Sequence, residues 1–249
     1  MIASRMRMPA LLVAVILVLG VAGNRVADLE SRLADARTSY DPEAAMAVLS
    51  EARSLRTREP GTEHARLQVE AAVAVAELLR IEYEQLPEDE REARRQLGSK
   101  IDAVAEETLG IVDELPESSA RERMRADLIA TMIRSDFRAR KYRDELETAI
   151  ARARELDPDN PRALVAAAKP LVFAPEEKGR DLAEAARLLD RALELEPGLE
   201  EARLLRAEAH RRAGDREAAR EDLEAALGAN PSCRPARHAL EAMEGATDG

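Results

Sequence analysis

Glu196 to Pro231 reads EPGLEEARLLRAEAHRRAGDREAAREDLEAALGANP. Breakers bound it at Glu196-Pro197-Gly198 and Asn230-Pro231, and Gly214-Asp215 divides it into two helix-like runs, Leu199 to Ala213 and Arg216 to Leu227. Proline ends a helix because it lacks the N–H and its ring clashes with the preceding turn, and glycine tolerates the left-handed backbone that closes one. The stretch is therefore a helical hairpin, and Pro197 and Pro231 set its period at 34 residues. One hairpin of this size buries too little apolar surface to stand alone, so the chain before it has to supply the units it stacks on.

The pattern resembles a tetratricopeptide repeat. Ala202, Ala207, Gly214, Asp215, Ala219, Leu223, Ala226, Leu227 and Pro231 fall where that family wants small, turn, apolar and terminating residues. Ala207, Ala219 and Ala226 let antiparallel helices approach closely. Arg203 and Arg206 depart from the pattern, standing where the family places a large apolar residue, so the first helix of this unit is expected to be rotated or loosely packed. The resemblance covers about residues 127–231, with one good and two partial units; its extension over residues 25–126 rests on helix pairing alone. It implies an all-α fold, antiparallel helical hairpins stacked as a right-handed solenoid and preceded by an N-terminal apolar helix.

Composition agrees with long helices. The chain of 249 residues is 45% hydrophobic, 35% charged and only 2% aromatic, with no Trp. Its net charge is −11, and basic residues are interleaved with acids, so nucleic acid is not an expected partner. The single cysteine, Cys233, rules out an intramolecular disulfide and any all-Cys metal site.

Met1 to Arg7 carries two arginines, and Met8 to Gly23 (MPALLVAVILVLGVAG) is an uncharged run of 16 residues. Residues 1–23 are therefore expected to be a signal peptide, cleaved after Ala22 by the Gly20-x-Ala22 pattern, or a single-pass membrane anchor. The positive flank puts the remaining chain outside the cytoplasm, anchored in an inner membrane or released to the periplasm of a bacterial-type envelope. No Cys follows the run, which excludes a lipid-modified cysteine there.

Helix signals then follow in order. Val26, Leu29, Leu33 and Ala36 share one helical face, and Asp41-Pro42 caps the next helix through Leu55. Arg58-Glu59-Pro60-Gly61 ends that pair. Glu63 to Leu86 contains Ala71 to Ala76, apolar on every side, which marks the buried centre of the N-terminal half. Ala93, Leu97, Ile101, Val104, Thr108, Val112 and Leu115 form a narrow seam that packs on the preceding helix or, if exposed, pairs with another subunit. Ser119 with Glu122 suggests a capping box for a helix through about Ala139. In the unit ending at Asp157-Pro158, Ile133, Phe137, Leu146, Ile150 and Ala153 occupy apolar repeat positions, and Lys141-Tyr142 replaces the Gly-Asp turn. Pro158 and Pro197 are 39 residues apart, five more than the period, and the excess falls in Ala174 to Arg180 between helices Arg162 to Phe173 and Leu182 to Leu195. Pro170 is expected to bend the first of these. Pro235 to Met243 supplies a polar-faced cap. The expected division is 1–23 signal or anchor, 24–116 divergent hairpins, 117–231 repeats and 232–249 capping helix with a frayed tail.

No catalytic constellation emerges. His64, His210 and His238 lie on separate helices without metal-ligand spacing, and no nucleophile motif or phosphate-binding glycine loop is present. Cys233 follows a helix-breaking proline, which allows exposure, and without a His partner it reads as an inert thiol. No catalytic, metal or cofactor site is expected.

In the family the first helix of each unit lines a concave groove. The resemblance thus implies groove positions at Leu128, Thr131, Ser135 and Arg138; at Arg162, Val165, Lys169 and Phe173; and at Glu201, Leu204, Glu208, Arg211 and Arg212. Such a mixture suits an extended peptide or helix bearing apolar and acidic residues. The Lys and Asn set that clamps a C-terminal carboxylate in some members is not reproduced. A non-enzymatic scaffold for membrane or envelope proteins is the expected function. A solute-binding transport subunit, with an apolar pocket near Phe173 and Ala71–Ala76, and a self-assembling structural protein remain alternatives.

Overall fold

A computed structural model describes the backbone of residues 10–245 and the side chains of residues 25–245. The signal or anchor expected at residues 1–23, and the frayed tail 246–249, fall outside the described side chains. Among the described residues no helix is long and apolar enough to cross a membrane.

Eleven α-helices and no strand make up the described chain: α1 (Ala10–Ser39), α2 (Pro42–Arg58), α3 (Thr62–Gln85), α4 (Arg91–Val112), α5 (Ser119–Met132), α6 (Asp136–Leu156), α7 (Pro161–Phe173), α8 (Leu182–Leu195), α9 (Glu200–Ala213), α10 (Arg216–Ala229) and α11 (Arg234–Gly245). Short polar side chains set many of the starts. Asp41, Ser118, Ser135, Asn160, Asp181 and Asp215 each accept a hydrogen bond from a free N–H of the first turn they precede. At the other end of α9, Gly214 adopts φ +87°, where a side chain would strain the backbone.

Consecutive helices pair as hairpins, α1/α2 through α9/α10, and α11 covers the last. The first helices also touch along the array, α1 to α3, α3 to α5, α5 to α7 and α7 to α9, so they form an inner layer. Helix α3 is its centre: Ala71 to Ala76 are at most 1% exposed. Alanine there lets four neighbouring helices come close, which larger side chains would prevent. The seam on α4 is covered, with Ile101, Thr108 and Val112 buried and α4 packed on α3 and α5. Self-pairing through an exposed seam therefore has no surface to use.

Several local expectations need correction between residues 118 and 157. The cap of α5 is Ser118, not Ser119, whose hydroxyl instead accepts from Asn160 Nδ2 at 2.9 Å. Glu122 does not reach back to the cap; it is held by Arg121 and Arg125. Helix α5 stops at Met132 rather than Ala139 because Ser135 starts a new helix, its Oγ accepting from Arg138 N. The turn is thus at Ile133 to Ser135, and Lys141-Tyr142 lies inside α6. Phe137, expected to be apolar filling, is 70% exposed.

The array's two ends meet. Asn230 Nδ2 donates to Thr38 O at 3.1 Å, Arg234 Nη2 to Tyr40 O at 2.6 Å, and the Tyr40 hydroxyl hydrogen-bonds Glu200. Cys233 is completely buried beside Tyr40, contrary to the exposure allowed by its place after Pro231, because the α1/α2 corner covers it. Ala207, Leu223, Ala236 and Met243 consequently share one apolar core with Val26, Leu29 and Leu49.

Candidate functional site

Charged side chains cross the inner layer from one end to the other. Arg37 on α1 pairs with Glu77 on α3 at 3.4 Å, Arg123 and Asp127 on α5 pair at 2.9 Å, and Lys169 on α7 bridges Asp127 at 3.4 Å and Glu201 on α9 at 2.6 Å. Five helices thus contribute to one row. Asp127 is nearly sealed, its side chain 6% exposed, whereas Glu201 at 38% and Arg37 at 34% reach solvent.

Burial and sign together fix the ionisation of the row. Burial pushes Glu77 up, repulsion from Glu201 adds to this, and Arg37 only partly offsets it. Burial also opposes ionisation of Asp127, but Lys169 and Arg123 outweigh it and hold that carboxyl below its ordinary value. Lys169 is desolvated too; attraction to Glu201, Asp127 and Glu77 nevertheless raises its pKa. Breaking one partner from such a row leaves an uncompensated charge in a poorly hydrated place.

The sequence-derived groove positions scatter around this row. Lys169 and Glu201 belong to it. Leu128 and Val165 are buried in the apolar core, and Leu204 packs against the core shared by the two ends. Thr131 turns its hydroxyl onto Leu128 O, 2.7 Å away. Ser135 and Arg138 begin α6, the second helix of its hairpin, and Arg138 is held by Asp102 at 2.7 Å. Arg162 pairs at 3.5 Å with Glu196. A smaller group gathers beside the row: the Arg212 guanidinium lies 5.1 Å from the Phe173 ring centroid, and Glu208 binds both Arg211 and Arg212. Burial works against the Glu208 carboxylate, but those two arginines hold its pKa low. Phe173 is 55% exposed under this pair.

Arg37, Glu77, Arg123 and Asp127 were not among the sequence candidates. A signal existed for two of them. Glu77 interrupts the apolar stretch Ala71 to Leu79, and Asp127 interrupts Met124 to Met132; a lone acid in an otherwise buried run needs a partner.

Arg206 explains a departure noted in the repeat pattern. It does not loosen α9; its guanidinium binds Asp222 on α10 at 2.6 Å and Asp190 on α8 at 2.6 Å, replacing apolar contact with a clamp across three helices. Among the described residues no three His, Cys, Asp or Glu converge as a metal site.

Residues 178–244 match the family model of the tetratricopeptide repeat, a segment that takes in helices α8, α9, α10 and most of α11. No curated protein matches the chain. Among solved structures, the chain is similar to YrrB, described as a TPR protein with an unusual peptide-binding site, at 15% identity and a TM-score of 0.42, over 81% of this chain and 93% of that one. The C-terminal segment 178–244 is thus similar in sequence to tetratricopeptide repeats, and the described residues around it are all helical.

Proposed function

We propose that the chain is a non-enzymatic scaffold that takes a segment of another protein along its inner layer. The observation that supports this reading best is the charged row itself. Replacing an ion-pair row by packed apolar residues is often neutral or stabilising, so stability alone does not call for six ionisable groups across five helices. Their partly solvated members, Arg37, Glu77, Lys169 and Glu201, offer donors and acceptors of both signs to a polypeptide laid across them. Phe173 beneath Arg212 would receive an apolar side chain at the side of that path. The apolar run at Met8–Gly23 suggests that the partner is a membrane or envelope protein, met outside the cytoplasm.

The test places a photo-crosslinking amino acid at Glu201 in one protein and at exposed Glu147 on α6 in another, in native membranes. A polypeptide captured from Glu201 and not from Glu147 is the expected result, and its loss in Lys169→Glu would tie it to the row. Equal capture from both positions would remove the inner layer as the recognition surface. Fractionation of the full chain and of residues 24–249 checks the compartment, since only the first should reach membranes or the periplasm.

A further inference from the structure

A polar cavity of about 470 Å3 opens at the rim where α3 turns into α4 and α5 into α6. Arg91, Arg94, Arg95, Arg134 and Arg138 line it, against only two carboxylates, Glu88 and Asp102. In a chain of net charge −11 this is a local reversal of sign. The row on the inner layer is made of other residues, so the two surfaces are independent.

Two of these arginines, Arg91 and Arg94, face no carboxylate partner, Arg134 and Arg138 share a single one, and Arg95 pairs with Glu92 at 2.5 Å. Arg94 donates to Leu86 O at 2.7 Å and lies 4.4 Å from the centroid of the Tyr83 ring, and Arg134 lies 5.7 Å from the same centroid. Arg134 also donates to Thr131 O and Gly98 O, both at 3.1 Å. Backbone carbonyls and an aromatic face orient a guanidinium without neutralising it. Asp102 is the one carboxylate they share, binding Arg134 and Arg138 at 2.7 Å each. The Arg91 backbone N–H donates to Asp89 O at 2.8 Å, but its guanidinium makes no hydrogen bond or ion pair among the described residues. Preorganised guanidinium groups with spare donors are suited to bidentate binding of oxyanions, because little side-chain entropy is lost on contact.

We infer that this rim is a binding site for an acidic segment of a protein partner, with its carboxylates on Arg91 and Arg94 and next to the Asp102-bound pair. Charge complementarity selects the acidic segment, and the spread of five arginines over two helices and a turn matches successive carboxylates along a chain better than a single small anion. Phe137, the neighbour of Arg138, is 70% exposed and provides an apolar contact beside the charges.

Fluorescence anisotropy of labelled hexaglutamate on the full chain tests the assignment, with hexalysine as the counter-probe and inorganic phosphate as competitor. Arg91→Glu should weaken hexaglutamate binding about tenfold, the equivalent of one good charge-assisted contact. Arg154→Glu makes the same charge change at an exposed arginine on the far part of α6 and should leave binding unchanged. Thermal melts of both variants should match the parent, since neither side chain is buried. Absence of hexaglutamate binding, or equal weakening by the two variants, would overturn the site. Tight phosphate binding without hexaglutamate binding would overturn the acidic segment as its occupant.

Discussion

Tyr40 Oη lies 3.3 Å from Cys233 Sγ, although 193 residues separate them. Tyr40 sits just past α1 with φ +56°, an uncommon backbone for a side chain of its size, and that conformation turns its ring toward Glu200 and Cys233. The contact joins the first hairpin to the last, so an array whose hairpins otherwise touch only near neighbours acquires a long-range closure. Burial raises the pKa of both groups, the Tyr40 hydroxyl and the Cys233 thiol.

Cys233 should accordingly react with a disulfide-exchange reagent at pH 8 far more slowly in the native chain than in urea. Tyr40→Ala should uncover it and speed the native reaction, while costing about 3 kcal/mol in urea unfolding from the lost ring and the cavity left behind. Fast native labelling of the parent protein would mean that the ends do not stay closed.

The charged row makes opposite predictions for two carboxylates. Asp127, held low, contributes stability above its unfolded pKa and loses it as pH falls through its folded value. Glu77, held high, favours its protonated form, so its contribution is full at acid pH and is lost as pH rises through its folded value. At pH 7 Glu77→Gln should be as stable as the parent or more so, and Asp127→Asn should lose about 3 kcal/mol because Lys169 and Arg123 lose their buried counter-charge. Asp127→Asn should also flatten the fall in stability between pH 7 and the acid range, measured by urea titration at each pH.

The Arg206 clamp can be separated from simple loss of packing. Arg206→Ala should cost about 3 kcal/mol by leaving Asp222, 7% exposed, without its cation. Arg206→Leu combined with Asp222→Ala should recover most of that loss, because no buried charge then remains unpaired. A double variant no better than Arg206→Ala would show that the guanidinium acts through packing instead.

Gly214→Ala should destabilise by about 1 kcal/mol, since its φ of +87° is strained for any residue with a Cβ even though open space surrounds it. Gly198→Ala, also in open space and without a positive φ, is the control and should change the midpoint of thermal unfolding little.

Local chemistry determined much of the fold. The breakers at Pro60-Gly61, Gly214-Asp215 and Asn230-Pro231, the capping residues Asp41 and Asp215, and the alanine run on α3 fix where helices stop and how closely they meet, because each acts within a few residues of itself. The start of α5 was ambiguous for a local reason too: Ser118 and Ser119 compete as caps, and only the backbone geometry selects Ser118. The site was far less legible. Lys169 and Glu201 could be placed by repeat position, but Arg37, Glu77 and Asp127 join them through helices α1, α3 and α5, and charge complementarity across separate helices leaves no fixed spacing in a sequence. The burial of Cys233 and the meeting of the two ends were likewise decided by tertiary structure alone, since they depend on the accumulated turn from hairpin to hairpin, to which every interface contributes and which no single residue encodes.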